Sequence, residues 1–172
     1  MNQKKVERKY LPEFVYGGMD GTITTFAVIA GVIGASLSSV IVLILGFANL
    51  FADGFSMSVA NYLSTKSRNE VSKNGKVNAY KTAFATFGAF IFMGFIPLLS
   101  FVVASATGNP HLIASQFKYS IILTTIALFT IGWMKGVVTE KHRLGSGIQT
   151  LIIGGIASGL AFIVGEFLSR IV

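Results

Sequence analysis

The chain has 172 residues, 52% of them hydrophobic and only 12% charged, with a formal charge of +7 and no cysteine. Soluble domains carry about a quarter charged residues, so the balance excludes an ordinary soluble domain and points into a membrane. The missing cysteines exclude a disulfide framework, a thiolate zinc site and a catalytic thiol. The basic residues lie between apolar blocks, as in loops at an anionic membrane face, and no nucleic-acid partner is expected.

Five apolar stretches reach the ~20 residues needed to cross ~30 Å of hydrocarbon. They fall at about 14–35, 39–63, 82–106, 117–134 and 148–171. Alternating barrel patterning is absent, and backbone satisfaction in lipid then demands helices. The expected fold is therefore an all-α integral membrane protein of five transmembrane helices, a single domain with no soluble part. The first stretch lacks a small-residue cleavage site and reads as a retained span, not a signal peptide. "GASLSS" joins the first two spans, "STKSRNEVSKNGKVNAYK" the second and third, and "TGNPHLIASQ" the third and fourth.

Twelve of the fourteen basic residues flank the same side. Lys4, Lys5, Arg8 and Lys9 precede the first span. Lys66, Arg68, Lys73, Lys76 and Lys81 lie between the second and third, and Lys135, Lys141 and Arg143 between the fourth and fifth. Lys118 and Arg170 lie on the other side. The positive-inside rule places the N-terminus in the cytoplasm and the C-terminus outside.

Polar residues inside the spans carry the functional signal. An Asp at mid-membrane costs about 2.5–3.5 kcal/mol on insertion scales and marks an ion or proton path. In "GFANLFADGFSMSVANYLS", Asn49, Asp53, Met57 and Asn61 recur at i+4 and share one face of a helix, with Ser56 and Ser64 close to it. In "YGGMDGTITTF", Asp20 and Thr24 make a similar pair on the first span. The two helices run antiparallel after a tight turn, so Asp20 and Met57 are expected at similar depth. Oxygen ligands with one soft sulfur suit Fe²⁺ or Mn²⁺, whereas Mg²⁺ and Ca²⁺ prefer oxygen alone. The candidate metal ligands are Asp20, Asp53, Met57, Asn49 and Asn61. Asn61 is equally readable as an interhelical hydrogen-bond partner.

Other features have packing readings. Gly17-x-x-x-Gly21 and Gly155-x-x-x-Gly159 permit close helix approach, and Pro97 is expected to kink the third span. Glu166 and Arg170 form an i,i+4 pair near the outer end of the fifth. His111 and His142 read as solvated loop residues. No nucleophile–base arrangement, phosphate-binding loop or dinucleotide fingerprint is present, so neither an enzyme nor a cofactor is expected.

At "YGGMDGTITTFAVIAGV" and "ANLFADGFSMSVANYLS" the chain resembles the vacuolar iron transporter family, which includes plant nodulin-like members. "FIPLL", "IALFTIG" and "LIIGGIASGLAFIVG" extend the likeness over nearly the whole chain. The resemblance implies a five-helix homodimer that exports Fe²⁺ or Mn²⁺ from the cytosol in exchange for protons. The family's first-span Asp falls on Asp20 and its second-span Met on Met57. Plant and fungal-type members often carry Glu where this chain has Asn61. The Glu-rich metal-binding domain of the plant transporter is replaced by a short basic loop whose acid is Glu70. A minimal prokaryotic form in the cell membrane is the expectation. The readings set against it are a structural or assembly membrane protein and a transporter of a different, organic cation.

Overall fold

The computed structural model describes residues 3–72 and 77–171, with side chains from Tyr10 onward; Lys73 and Lys76 of the basic connection lie outside the described residues. Five helices follow one another: α1 (Gln3–Gly34), α2 (Ser39–Val71), α3 (Ala79–Thr107), α4 (Pro110–Val138) and α5 (Arg143–Ser169). Each is long and apolar enough to cross a membrane, α1 over Tyr10–Gly34. No strand occurs among the described residues.

The helices outrun the apolar stretches, and the connections shrink accordingly. α2 continues through the polar segment 64–71, because that segment holds no Gly or Pro and gains tertiary bonds. Asn69 clamps Val77 on both sides, donating from Nδ2 to its carbonyl at 2.6 Å and accepting its N–H at 2.9 Å. Thr82 Oγ1 reaches Thr65 Oγ1 at 3.2 Å. The expected "TGNPHLIASQ" connection reduces to Gly108 and Asn109. Gly108 ends α3 at φ 60°, a conformation open to glycine. Asn109 then caps α4 by accepting the His111 N–H at 3.0 Å, with Pro110 in the first helical turn. His111 is therefore a helical residue, not a loop residue, though exposed as expected. His142 does more than meet solvent, since its Nδ1 caps α5 by accepting the Gly145 N–H at 3.2 Å.

α1 is the central helix, packing against all four others, while α5 is the least covered. Ile29 and Val32 of α1 meet Val42 and Leu50 of α2 and Phe90, Leu98 and Phe101 of α3 in the main core. Two α1 glycines make this approach possible. A Cβ at Gly17 would lie 2.5 Å from the Thr86 carbonyl oxygen, and one at Gly21 would lie 2.5 Å from that of Phe90. Gly155 and Gly159 share the spacing but face open space among the described residues. We expect Gly21→Val to destabilise the bundle by about 1–3 kcal/mol through overpacking, read as a lower unfolding midpoint in detergent. Gly159→Val should leave that midpoint unchanged. An equal drop in both would refute the assignment of close packing to α1.

Pro97 sits inside a helix that is continuous across it. Its missing N–H leaves the Met93 carbonyl without an i+4 donor. The Thr22 hydroxyl, 2.8 Å from its own Gly18 carbonyl, also approaches Met93 O at 3.3 Å. Ser120 Oγ donates to Pro97 O at 2.7 Å. Neighbouring helices thus supply the bonds that hydrocarbon cannot.

Candidate functional site

The i+4 stripe of α2 keeps its one-sided character in the fold: Asn49, Asp53, Met57 and Asn61 are all half-buried. Ser56 and Ser64 are exposed. Toward the end of the bundle that carries the N-terminus, α1 and α2 enclose a cleft of about 470 Å³. Its walls are Glu13 and Tyr16 from α1, and Met57, Asn61, Ser64 and Arg68 from α2. Asp20 is the next residue inward on the Tyr16 face of α1, one turn on. Asp53 is the next inward from Met57 on α2. Both carboxylates are half-buried, and Asp53 lies close enough for its charge to act on Asp20.

Among the described residues neither aspartate side chain has a hydrogen-bond or ion-pair partner. The one ion pair there is Glu166–Arg170 at 2.5 Å, exposed and of little energetic weight. Glu13 Oε2 is buried without a hydrogen-bond partner, and so is Asn49 Nδ2. Like charges held near one another in a poorly solvated place repel, and a bound cation or proton relieves both costs.

Asn61 behaves differently from the rest of the stripe. Its Nδ2 donates to Thr86 Oγ1 of α3 at 2.5 Å, and its Oδ1 accepts from Thr65 Oγ1 at 3.3 Å. Its side chain is committed to holding α2 against α3, although it also walls the cleft. The Thr24 hydroxyl is likewise occupied, donating to the backbone carbonyl of Asp20 at 2.9 Å.

Three cleft residues escape a reading of the apolar spans: Glu13, Tyr16 and Arg68. Glu13 lies two helical turns before Asp20 and Tyr16 one turn before it, so the periodicity that links Asp20 to Thr24 reaches them when extended backward. No group of three or more His, Cys, Asp or Glu side chains comes together among the described residues. Within one chain, a metal would therefore need the amide or thioether ligands of the stripe beside the carboxylates.

Five membrane-length helices with a carboxylate-bearing seam between the first two define a multi-pass α-helical membrane protein. The VIT family model matches residues 11–77 and 70–166, and the chain belongs to that family. It is 24% identical to the vacuolar iron transporter of Plasmodium berghei over 228 residues, covering 95% of this chain and 84% of that one. It is 27% identical to vacuolar iron transporter 1 of Arabidopsis thaliana over 212 residues, covering 87% and 82%. Alignments longer than the 172-residue chain require inserted residues in those relatives. The two matched stretches overlap at 70–77, between the bodies of α2 and α3. Vacuolar iron transporter homolog 4 of Arabidopsis thaliana, 25% identical and covering 90% of this chain and 81% of its own, aligns over only 167 residues.

Proposed function

We propose that this protein exports Fe²⁺ or Mn²⁺ from the cytosol in exchange for protons. The observation that carries the reading is the Asp20–Asp53 pair: two half-buried carboxylates from different helices, near one another and without a cation partner among the described residues. Met57, one turn from Asp53, adds a soft ligand that favours Fe²⁺ or Mn²⁺ over Mg²⁺. The names of the relatives, vacuolar iron transporters, support a metal as cargo. On this reading Glu13 at the cleft receives the ion and passes it to the aspartates.

A two-fold homodimer in a prokaryotic cell membrane belongs to the same proposal. Symmetry duplicates every ligand, which answers the lack of a cluster of acidic groups among the described residues of one chain. The charge asymmetry of the connections supports a cytoplasmic N-terminus. The cleft has Tyr16 as its aromatic wall, too little for an organic-cation cage. For Asn61 alone, the hydrogen bonds to Thr86 and Thr65 favour a packing role.

The deciding experiment is uptake by proteoliposomes of the purified protein, scanning Fe²⁺, Mn²⁺, Co²⁺, Zn²⁺ and Mg²⁺ with an internal pH dye. Fe²⁺ or Mn²⁺ should move with opposing protons, and Mg²⁺ should not. Sidedness is read on the same vesicles through a cysteine introduced at Lys141, reachable by an impermeant reagent from the N-terminal side alone. Absence of flux for every metal, at a confirmed protein content, would overturn the reading.

A further inference from the structure

We propose that the groove between α1 and α4 is a binding site for an anionic phospholipid, with its phosphate on Lys135 and an acyl chain along Val15 and Met19. The groove holds about 270 Å³, and its walls include Val15, Tyr16, Met19 and Val138, with Lys135 as the charged one. Lys135 is half-buried, and its ammonium makes a single long hydrogen bond, 3.5 Å to Gln149 Oε1. No carboxylate pairs with it among the described residues. An ammonium carries three donors, and the exposed bond to Gln149 uses one of them, so Lys135 keeps donors free at the edge of the groove. A cation partly withdrawn from water is costly unless an anion meets it.

The shape matches a lipid as well as the charge does. The groove begins at Pro12 and Thr139, near the end of the bundle, and reaches inward to Met19. Its polar end therefore stands at headgroup level and its apolar end in hydrocarbon. Lys141 in the exposed α4–α5 connection and Arg143 at the start of α5 follow, against one acid, Glu140, so this stretch of the groove's rim is net positive. Basic pockets between membrane helices are sites for anionic headgroups. The α2–α3 groove offers a contrast. Phe55, Val59, Phe84 and Phe87 line it beside the Tyr62–Tyr80 ring pair, and no charged side chain is among its walls. That groove can take an acyl chain but cannot select a headgroup.

The test is native mass spectrometry of the full chain in detergent, titrated with phosphatidylglycerol or with phosphatidylcholine of the same acyl chains. Wild type should prefer phosphatidylglycerol by about fivefold, the scale of one basic side chain at a membrane surface. Lys135→Met should bring the two lipids to parity, Lys135→Arg should retain the preference, and Lys81→Met, on another face, should not alter it. Met19→Trp fills the groove without touching the charge, and should weaken binding of the phosphatidylglycerol even if Lys135→Met fails to fold. Equal binding of both lipids to wild type, or a preference surviving Lys135→Met, would overturn the proposal. So would a disulfide-linked dimer from a cysteine at Val138, which would mark the groove as a contact between copies. Transport is not part of the readout, so the site stands or falls apart from the export reading.

Discussion

Asp53→Asn should abolish both metal flux and metal-driven proton movement in proteoliposomes while leaving the protein folded. Asparagine keeps the shape and one oxygen ligand but removes the charge and the proton site. A desolvated carboxylate favours its neutral form, and a nearby divalent cation favours the charged one. The same group can thus alternate between proton and metal, which yields exchange without a separate coupling device. Because Asp53 and Asp20 are like charges near one another and neither has a cation partner among the described residues, removing one charge should not lower the unfolding midpoint. Loss of flux with an unchanged midpoint therefore separates function from packing. Asp20→Asn should weaken loading more than turnover. Met57→Leu should leave transport running at a reduced rate and let Mg²⁺ compete, since the soft ligand is gone. Metal flux with intact proton coupling in Asp53→Asn would reduce that residue to packing.

The five spans are legible in the sequence because hydrocarbon demands long apolar runs and punishes every exception. The same penalty makes Asp20 and Asp53 stand out. Helix ends are less legible, since water and headgroups place no such demand. Residues 64–71 look like loop by hydropathy, yet the backbone stays helical while Asn69 and Thr65 find partners around α3. Glu13 is overlooked for a related reason. It precedes the apolar run by one residue, so a carboxylate there reads as a solvated flank until α2 is seen to close a cleft over it. The glycine pairs mark a different limit. Gly17-x-x-x-Gly21 and Gly155-x-x-x-Gly159 are equivalent as spacing, but which face of a helix meets a neighbour is decided by the other helices. Asn61 lies between these cases: its place in the stripe is plain from i+4 spacing, whereas its commitment to Thr86 depends on α3.

Glu13→Gln should raise the metal concentration for half-maximal flux about tenfold, the lower end of what charged clefts contribute to local cation concentration, while leaving the maximal rate within about twofold. The reason is position. Glu13 walls the outer part of the cleft, with a buried oxygen that lacks a partner, whereas the aspartates lie a turn or more inward. A charge at the mouth concentrates the ion but takes no part in releasing it. Arg68 walls the same cleft, with its guanidinium held to Thr65 Oγ1 at 3.3 Å, and its charge opposes cation entry. Arg68→Gln should therefore act in the reverse direction, lowering the half-maximal concentration. Arg68 is exposed, so its effect should fade as ionic strength approaches 1 M, where the screening length is about 3 Å. The Glu13 effect should persist further, since partly buried charges are screened less. Flux measured over a metal series at low and high salt distinguishes the two. If Glu13→Gln lowers the maximal rate as severely as Asp53→Asn, Glu13 belongs to the exchanging site itself and the two-stage path is wrong.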